Sequence, residues 1–324
     1  MSQKRSLNVA IIGADMSGLC MAVKLQDAGI DTFTIFEKAD EVGGTWRDNT
    51  YPGLICDVPS RFYSYTFRPN PDWSHLLPPG AEIQAYFRQV ATERGIRRHI
   101  RFGTDVTSAR YHDGRWRVAT ADGEEVFDVV ITATGFLRVP RYPDIPGLEA
   151  FAGTMFHSAR WDHSISLPDK RIGVIGTGST GVQITAELGG NVRELKVFQR
   201  TAQWVFPFPN PRYSRLTRAV LQRIPAWNRI GYRFWQGVYE NLFARAMVEP
   251  CWQRRLVSAM CRWNLNLSVR DSELRRRLTP DYQAMCKRIV AAGHYYQSVQ
   301  KPGVHVVDDA IDHIEPTGVV TAEG

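Results

Sequence analysis

The 324-residue sequence predicts an α/β fold with two Rossmann-like dinucleotide-binding domains, and two glycine-rich turns in the same register carry that prediction. Gly13-Ala-Asp-Met-Ser-Gly18 is followed, 24 residues after its first glycine, by Glu37; Gly176-Thr-Gly-Ser-Thr-Gly181 is followed at the same distance by Arg200. Each turn closes an apolar run and opens a helical pattern, as a phosphate-binding turn does. The residue at the end of the next strand faces the adenosine ribose. A carboxylate there accepts from the ribose hydroxyls, whereas a guanidinium grips a 2′-phosphate. The first site therefore suits FAD and the second suits NADP.

In chain order, Leu7-Asn-Val-Ala-Ile-Ile reads as a buried strand, followed by a helix through Leu25 and a second strand over 32–37. Residues 42–79 are irregular and dense in Gly, Pro and aromatics, a loop length that is usually functional. Helix returns over 82–93. Alternating apolar and polar residues over 106–118 and 125–132, around Asp-Gly turns, predict a small antiparallel β-meander on the first domain. A buried strand ending at Gly135 and linker signals over 140–147 place the domain boundary, giving an FAD-binding domain over 1–145 and an NADP-binding domain over 150–324. Strand signals stop after Pro207, and a helical insertion is expected over about 208–285, before strand returns near Val304.

The content of apolar residues, 44%, and of charged residues, 23%, is that of a soluble globular protein rather than a disordered one. The N-terminal apolar stretch is too short for a membrane span and runs into the glycine turn, so neither a transmembrane segment nor a signal peptide is read there, and a cytoplasmic protein is expected. Five scattered cysteines form no Cys-x-x-Cys pair, which argues against a zinc site or a dithiol redox centre; no metal site is expected. The net charge of +7 is concentrated. Residues 210–289 hold sixteen Lys/Arg and five Asp/Glu, a balance of +11, which leaves about −4 elsewhere. Nucleic acid could use such a block, but its arginines interleave with apolar residues at helical spacing and read better as solvated helix faces, some turned toward an anionic cofactor. Loose attachment to an anionic membrane ranks third. Oligomeric state has no signature.

The second turn has all three glycines, Gly176, Gly178 and Gly181, needed for the tight turn, close approach to a pyrophosphate and helix–strand packing. Ser179 and Thr180 open its helix, and Arg200 with Thr201 offers a guanidinium and a hydroxyl to a 2′-phosphate. The first turn keeps Gly13, Ser17 and Gly18, with Glu37 and Lys38 downstream, but Asp15 replaces the second glycine and brings a carboxylate toward an anionic ligand.

Further segments resemble class B flavoprotein monooxygenases: Glu41-Val-Gly-Gly-Thr-Trp46, including Gly44 and Thr45; Tyr51-Pro-Gly53; Cys56-Asp57-Val-Pro-Ser60; and Ala133-Thr134-Gly135. The stretch from Phe151 through His157 to Trp161-Asp162 matches the F-x-G-x-x-x-H-x-x-x-W-[P/D] signature of the Baeyer–Villiger monooxygenases within that class. The resemblance implies FAD contacts from the first group and NADPH contacts from the second turn. It also implies an enzyme that uses NADPH and O2 to insert one oxygen atom into a ketone through a C4a-peroxyflavin, giving an ester or lactone. In the Lys287-Arg288 pair it implies that Lys287 approaches the NADP phosphate and that Arg288 is the catalytic group, with Asp57 its carboxylate partner. His157 and Trp161 follow the linker and are expected to couple domain rotation to catalysis.

Alternatives on the same scaffold are N- or S-oxygenation and uncoupled NADPH oxidation; another is a catalytically disabled nucleotide-binding remnant, which Asp15 favours. Members of the resembled family continue past the position of Gly324 into a strand with a second Ala-Thr-Gly-Phe segment, so the chain is expected to be a fragment or a truncated form.

Overall fold

Val9–Ile12 (β1) and Phe33–Phe36 (β2) pair in parallel, joined by the helix Met16–Asp27 (α1). The computed structural model of the chain describes residues 7–323. It divides into two units, one of residues 1–50 and 80–140, the other of residues 51–79 and 141–324.

In the first unit, Ile100–Arg101 (β3) and Val129–Thr132 (β7) complete a parallel sheet of order β3-β2-β1-β7. The inner strands β1 and β2 are apolar and largely buried, whereas β7 at the edge is only partly buried and its Val129 is exposed. Val9, Ala10, Ile11, Ile35 and Phe36 are buried, as are Leu19, Ala22 and Val23 of α1. The short helix Thr45–Asp48 (α2) precedes Gly80–Glu93 (α3), whose Ile83, Phe87 and Val90 lie three to four residues apart and are fully buried. At about 1.5–3 kcal/mol for each such side chain, this stripe outweighs what α3 would gain from helix propensity alone. Ser108–His112 (β4), Arg115–Thr120 (β5) and Gly123–Phe127 (β6) form a three-stranded antiparallel sheet of order β4-β5-β6. Asp113 (φ 50°) and Gly114 (φ 77°) make its first turn, the paired positive φ values of a tight hairpin. Phe127 meets Phe36 edge to face, centroids 5.8 Å apart, in a cluster with Ala10 and Val118.

In the second unit, Arg171–Ile175 (β8), Glu194–Phe198 (β9) and Val304–Val307 (β12) form a parallel sheet of order β12-β9-β8, with the helix Ser179–Leu188 (α4) following β8. Between β9 and β12, Val205–Phe206 (β10) pairs in parallel with Val290–Ala291 (β11), and helices fill the interval. These are Arg215–Arg223 (α5), Pro225–Val238 (α6), a π-helical stretch over Tyr239–Ala244, Arg245–Val248 (α7), Trp252–Ser268 (α8) and Ser272–Arg277 (α9). Val257, Cys261 and Leu265 of α8 are buried on one face against Phe206 and Val290 of the strand pair. Tyr295–Ser298 (α10) leads back to β12, and Ile311–Glu315 (β13) pairs with Gly318–Thr321 (β14) as a hairpin.

Residues 51–79, expected within a first domain ending near 145, cluster with the second unit instead. Polar contacts explain why: Tyr51 donates its hydroxyl to Gln183 Oε1 (3.0 Å), Gln183 Nε2 donates to the Ile55 carbonyl (3.0 Å), and Asn210 Oδ1 accepts the Leu77 N–H (2.7 Å).

Candidate functional site

Around the first turn, Gly13 carries φ 107°, and a Cβ there would stand 2.5 Å from the Ala133 carbonyl oxygen. A Cβ on Gly18 would stand 1.9 Å from the Gly13 carbonyl oxygen. These two glycines let β1, α1 and the end of β7 close on one another. Glu37, 7% exposed, accepts the Ala14 N–H (2.8 Å) on one oxygen; the other accepts the Ala39 N–H (2.9 Å) and Arg47 Nη1 (3.3 Å). The carboxylate at the end of β2 is thus tied to the glycine turn itself. Ser17 and Thr134 are exposed near the turn, Trp46 is half-buried, and exposed Lys38 pairs with Asp105 (2.6 Å).

Asp15 stands at the N-terminal boundary of α1 but does not cap it through its side chain. The backbone N–H groups of Met16 and Thr45 face its carboxylate and favour its charged form. Oδ2 lies 2.4 Å from where a Cβ on Gly44 would stand, and Oδ1 is sealed from solvent with no hydrogen-bond partner among the described residues. Burial pushes its pKa up to about 6, against the two N–H donors and Arg47, with Glu37 adding to the rise. The glycine packing and the Glu37 carboxylate fit the adenosine half of a dinucleotide. The diphosphate half does not fit an ionised Asp15, whose enclosed carboxylate puts negative charge inside the turn.

The second turn differs at that point. Gly176 (φ 107°) and Gly178 would each carry a Cβ into open space, with nothing within 4 Å, whereas a Cβ on Gly181 would stand 2.1 Å from the Gly176 carbonyl oxygen. The back of this turn is close-packed and its front is clear, which fits a diphosphate lying against backbone. Ser179 and Thr180 form the first turn of α4. Buried Thr177 donates to the Thr201 carbonyl (2.6 Å), tying the turn to the end of β9, where Arg200 is exposed and pairs with no carboxylate among the described residues.

Asp57 and Arg288 meet in the second unit. Arg288 Nη2 lies 2.7 and 2.9 Å from the two Asp57 oxygens, and Nε lies 3.2 Å from one of them. The Asp57 side chain is 13% exposed and the Arg288 side chain 64%, so Asp57 is a fixed anchor under a cation open to ligand. Tyr239, from the π-helical stretch, donates to the Asp57 carbonyl (3.1 Å), and burial raises its pKa. Neighbouring Cys56 is pushed up to about 12 by burial, which leaves it an inert thiol. The segment bearing Arg288 is held from below: Trp204 Nε1 donates to the Tyr282 carbonyl (2.7 Å), Tyr282 donates to Gln203 Oε1 (2.9 Å), and Gln203 Nε2 donates to the Arg288 carbonyl. Lys287 Nζ sits over the Tyr282 ring, 4.4 Å from its centroid. Met285, buried, adopts φ 74°, a left-handed backbone that a non-glycine residue keeps only where its surroundings impose it.

His157 and Trp161 make local contacts. His157 Nδ1 accepts the Ala159 N–H (3.1 Å), its ring meets Tyr142 edge-on, and burial, followed by the charge of Arg160, lowers its pKa. Neutral imidazole is the form that can accept at Nδ1. Trp161 meets Phe156 edge to face and packs on the core formed by Tyr51, Leu188 and Val197.

The profile of the flavin-binding monooxygenase-like family matches residues 6–279. The chain belongs to that family. Among similar proteins, an uncharacterized monooxygenase of Mycobacterium tuberculosis is 52% identical over 321 residues, 99% of this chain and 64% of that one. A Baeyer–Villiger monooxygenase of Streptomyces coelicolor is 39% identical over 320 residues, 98% of this chain and 62% of its own length. This family member thus spans a little under two thirds of those relatives. An oxidized steroid monooxygenase bound to NADP superposes with a TM-score of 0.85 at 32% identity, covering 98% of this chain and 69% of that one.

For a flavin-binding monooxygenase-like chain, several contributors were not evident from sequence. Arg47, bound to Glu37, to Asp48 (2.9 Å) and to the Glu41 carbonyl, follows Trp46 directly, but spacing gives an arginine in a loop no partner. Gln203 and Tyr239 lie in stretches with only strand-end or helical signal. Gln183 sits inside the amphipathic pattern of α4, where a polar residue at a buried position was the available clue.

Proposed function

We propose that this chain serves an FAD- and NADPH-dependent Baeyer–Villiger monooxygenase activity on a ketone, yielding an ester or lactone. One atom of O2 enters a carbon–carbon bond beside the carbonyl, the other leaves as water, and NADPH with a proton supplies the two electrons. Relatives bearing the Baeyer–Villiger name, and the signature from Phe151 to Asp162, support the reading. The observation that carries it is the Asp57–Arg288 pair, a permanently charged fork of donors held open at one end.

When bound, the two dinucleotides would supply hydride transfer and oxygen activation. Gly13, Ser17, Gly18, Glu37 and Lys38, with Gly44, Thr45 and Trp46 and with Ala133 and Thr134, are the residues proposed to hold FAD; Asp57 is assigned there through Arg288. Gly176, Gly178, Ser179, Thr180 and Gly181 would hold the NADPH diphosphate, and Arg200, Thr201 and Lys287 its 2′-phosphate. Arg288 cannot lose its proton at any working pH, so it offers donors to an oxygen anion throughout. Asp57 fixes the guanidinium plane. His157 and Trp161 are assigned a positioning role in the second unit, consistent with their local contacts. O2 and a small ketone are the proposed partners, with no nucleic acid; no described helix is long and apolar enough to cross a membrane.

The test is NADPH-dependent oxygen uptake with product analysis, a ketone and a thioether offered side by side. Ester from the ketone, lost in Arg288→Ala, supports the proposal. Sulfoxide alone points to heteroatom oxygenation, and hydrogen peroxide alone to an oxidase. A second reading, a nucleotide-binding protein without oxygenation, is favoured by Asp15; a purified chain that stays colourless with added FAD at every pH would establish it.

A further inference from the structure

We propose that Asp15 makes dinucleotide binding at the first glycine turn proton-coupled: the ionised carboxylate occupies the turn as an internal anion, and only its neutral form admits a diphosphate. The inference rests on the reading of that turn as an FAD site and adds a condition to it.

Geometry carries the argument. At a position where glycine would leave the turn open, the Asp15 carboxylate is packed between the start of α1 and Gly44, and the Met16 and Thr45 N–H groups that face it favour its charged form. The Cβ position on Gly44, 2.4 Å from Oδ2, shows how close the two backbones come around this side chain. The other oxygen, Oδ1, is enclosed without a donor. A phosphate pair brought to the same N–H groups would meet a carboxylate of like charge in a poorly hydrated site, an arrangement that disfavours the charged form of the side chain.

The charged groups facing Asp15 do not relieve this. Among the described residues Arg47, from α2, is the cation acting on it, and Arg47 is already engaged by Glu37 and Asp48. Glu37, at the end of β2, adds negative charge. Protonation removes the conflict: a neutral carboxyl gains a donor for a phosphate oxygen and releases one of its acceptor roles. Burial already raises the carboxyl to about pH 6, so a proton is available near neutrality. The second turn, with Gly178 in the corresponding place, has no such group, so its dinucleotide binding should be indifferent to the residue at position 15.

The experiment is titration of the flavin-free full chain with FAD, read by flavin fluorescence, from pH 5.5 to 8.5, for the wild type, Asp15→Gly and Asp15→Asn. NADP+ is titrated in parallel by calorimetry. Above pH 6 the wild-type affinity for FAD should fall about tenfold per pH unit, as the competent fraction falls. Asp15→Gly and Asp15→Asn should bind FAD tightly and evenly across the range, and the NADP+ profile, shaped by the 2′-phosphate ionising at about pH 6, should be the same in all three. A flat FAD profile in the wild type, or an equal slope in Asp15→Gly, overturns the proton coupling while leaving the FAD site standing. Absence of FAD binding by Asp15→Gly at every pH, with NADP+ binding retained as proof of folding, overturns the FAD reading and the coupling together.

Discussion

Asp57 and Arg288, 231 positions apart in sequence, form a two-point ion pair in which only the arginine faces outward. The carboxylate takes the Nη2 and Nε edge of the guanidinium and leaves Nη1 free of it. If that free edge meets the reacting oxygen, Arg288→Ala should lower the rate of ester formation by roughly 10²–10³-fold, the size expected for one preorganised donor. NADPH affinity should hardly change. Arg288→Lys should recover little, because an ammonium cannot keep two bonds to Asp57 and present a third donor in plane. Steady-state kinetics of the two variants and of Asp57→Asn, with the double variant, tests the pair as a unit. Losses that simply add would mean the residues act separately.

Arg200 stands exposed where the second turn unit would meet an adenosine ribose, and nothing charged competes for it among the described residues. Arg200→Ser should raise KM for NADPH by roughly ten- to a hundredfold, the loss of about 1.5–3 kcal/mol from a charge-assisted bond. KM for NADH should stay within about twofold. Coenzyme comparison in the two proteins decides it; equal losses with both coenzymes would remove Arg200 from phosphate recognition.

The glycines of the second turn separate packing from binding. Gly181→Ala places a methyl 2.1 Å from the Gly176 carbonyl oxygen, so backbone must move, at a cost of about 3 kcal/mol or more in stability. Gly178→Ala meets nothing within 4 Å and has φ −67°, which alanine adopts freely, so its stability should change by less than about 1 kcal/mol. Its methyl would instead fill the space a diphosphate needs, and NADP+ affinity should drop at least tenfold. Urea denaturation and calorimetry on the two variants measure the two effects independently.

How much of this was legible in the sequence follows from the range of the interactions. Both glycine turns, their strands and the terminal charges are set within about 25 residues, so period and spacing expose them, and the structure places Glu37 and Arg200 at the strand ends. The Asp57–Arg288 contact depended on resemblance, since no local pattern marks one arginine among the sixteen cations of 210–289. The excursion of 51–79 into the second unit was not legible. It depends on Tyr51, Gln183 and Asn210, polar residues whose partners lie more than 100 positions away. The trouble at Asp15 was visible as a missing glycine; its burial against the Gly43-Gly44 segment, and hence its elevated proton affinity, needed the fold.

That elevated affinity has a consequence for folding that requires no ligand. Burial, the largest influence on Asp15, moves its pKa from 3.8 to about 6, so the folded chain holds this proton more tightly than the unfolded chain. Stability from this group is therefore fully present below pH 3.8 and is lost as pH rises through 6, a decline of about 3 kcal/mol. Glu41 works in the opposite direction: its burial is outweighed by the Val42 N–H and Arg97, which hold its pKa low and favour the fold as pH rises. The absolute stability curve mixes the two, but the difference between wild type and Asp15→Asn isolates Asp15. Urea midpoints of the flavin-free proteins should converge near pH 4, with Asp15→Asn pulling ahead as pH rises and leading by a constant margin above pH 7. A difference that does not vary with pH would mean that Asp15 titrates alike in the folded and unfolded chain, and that the turn does not hold it neutral.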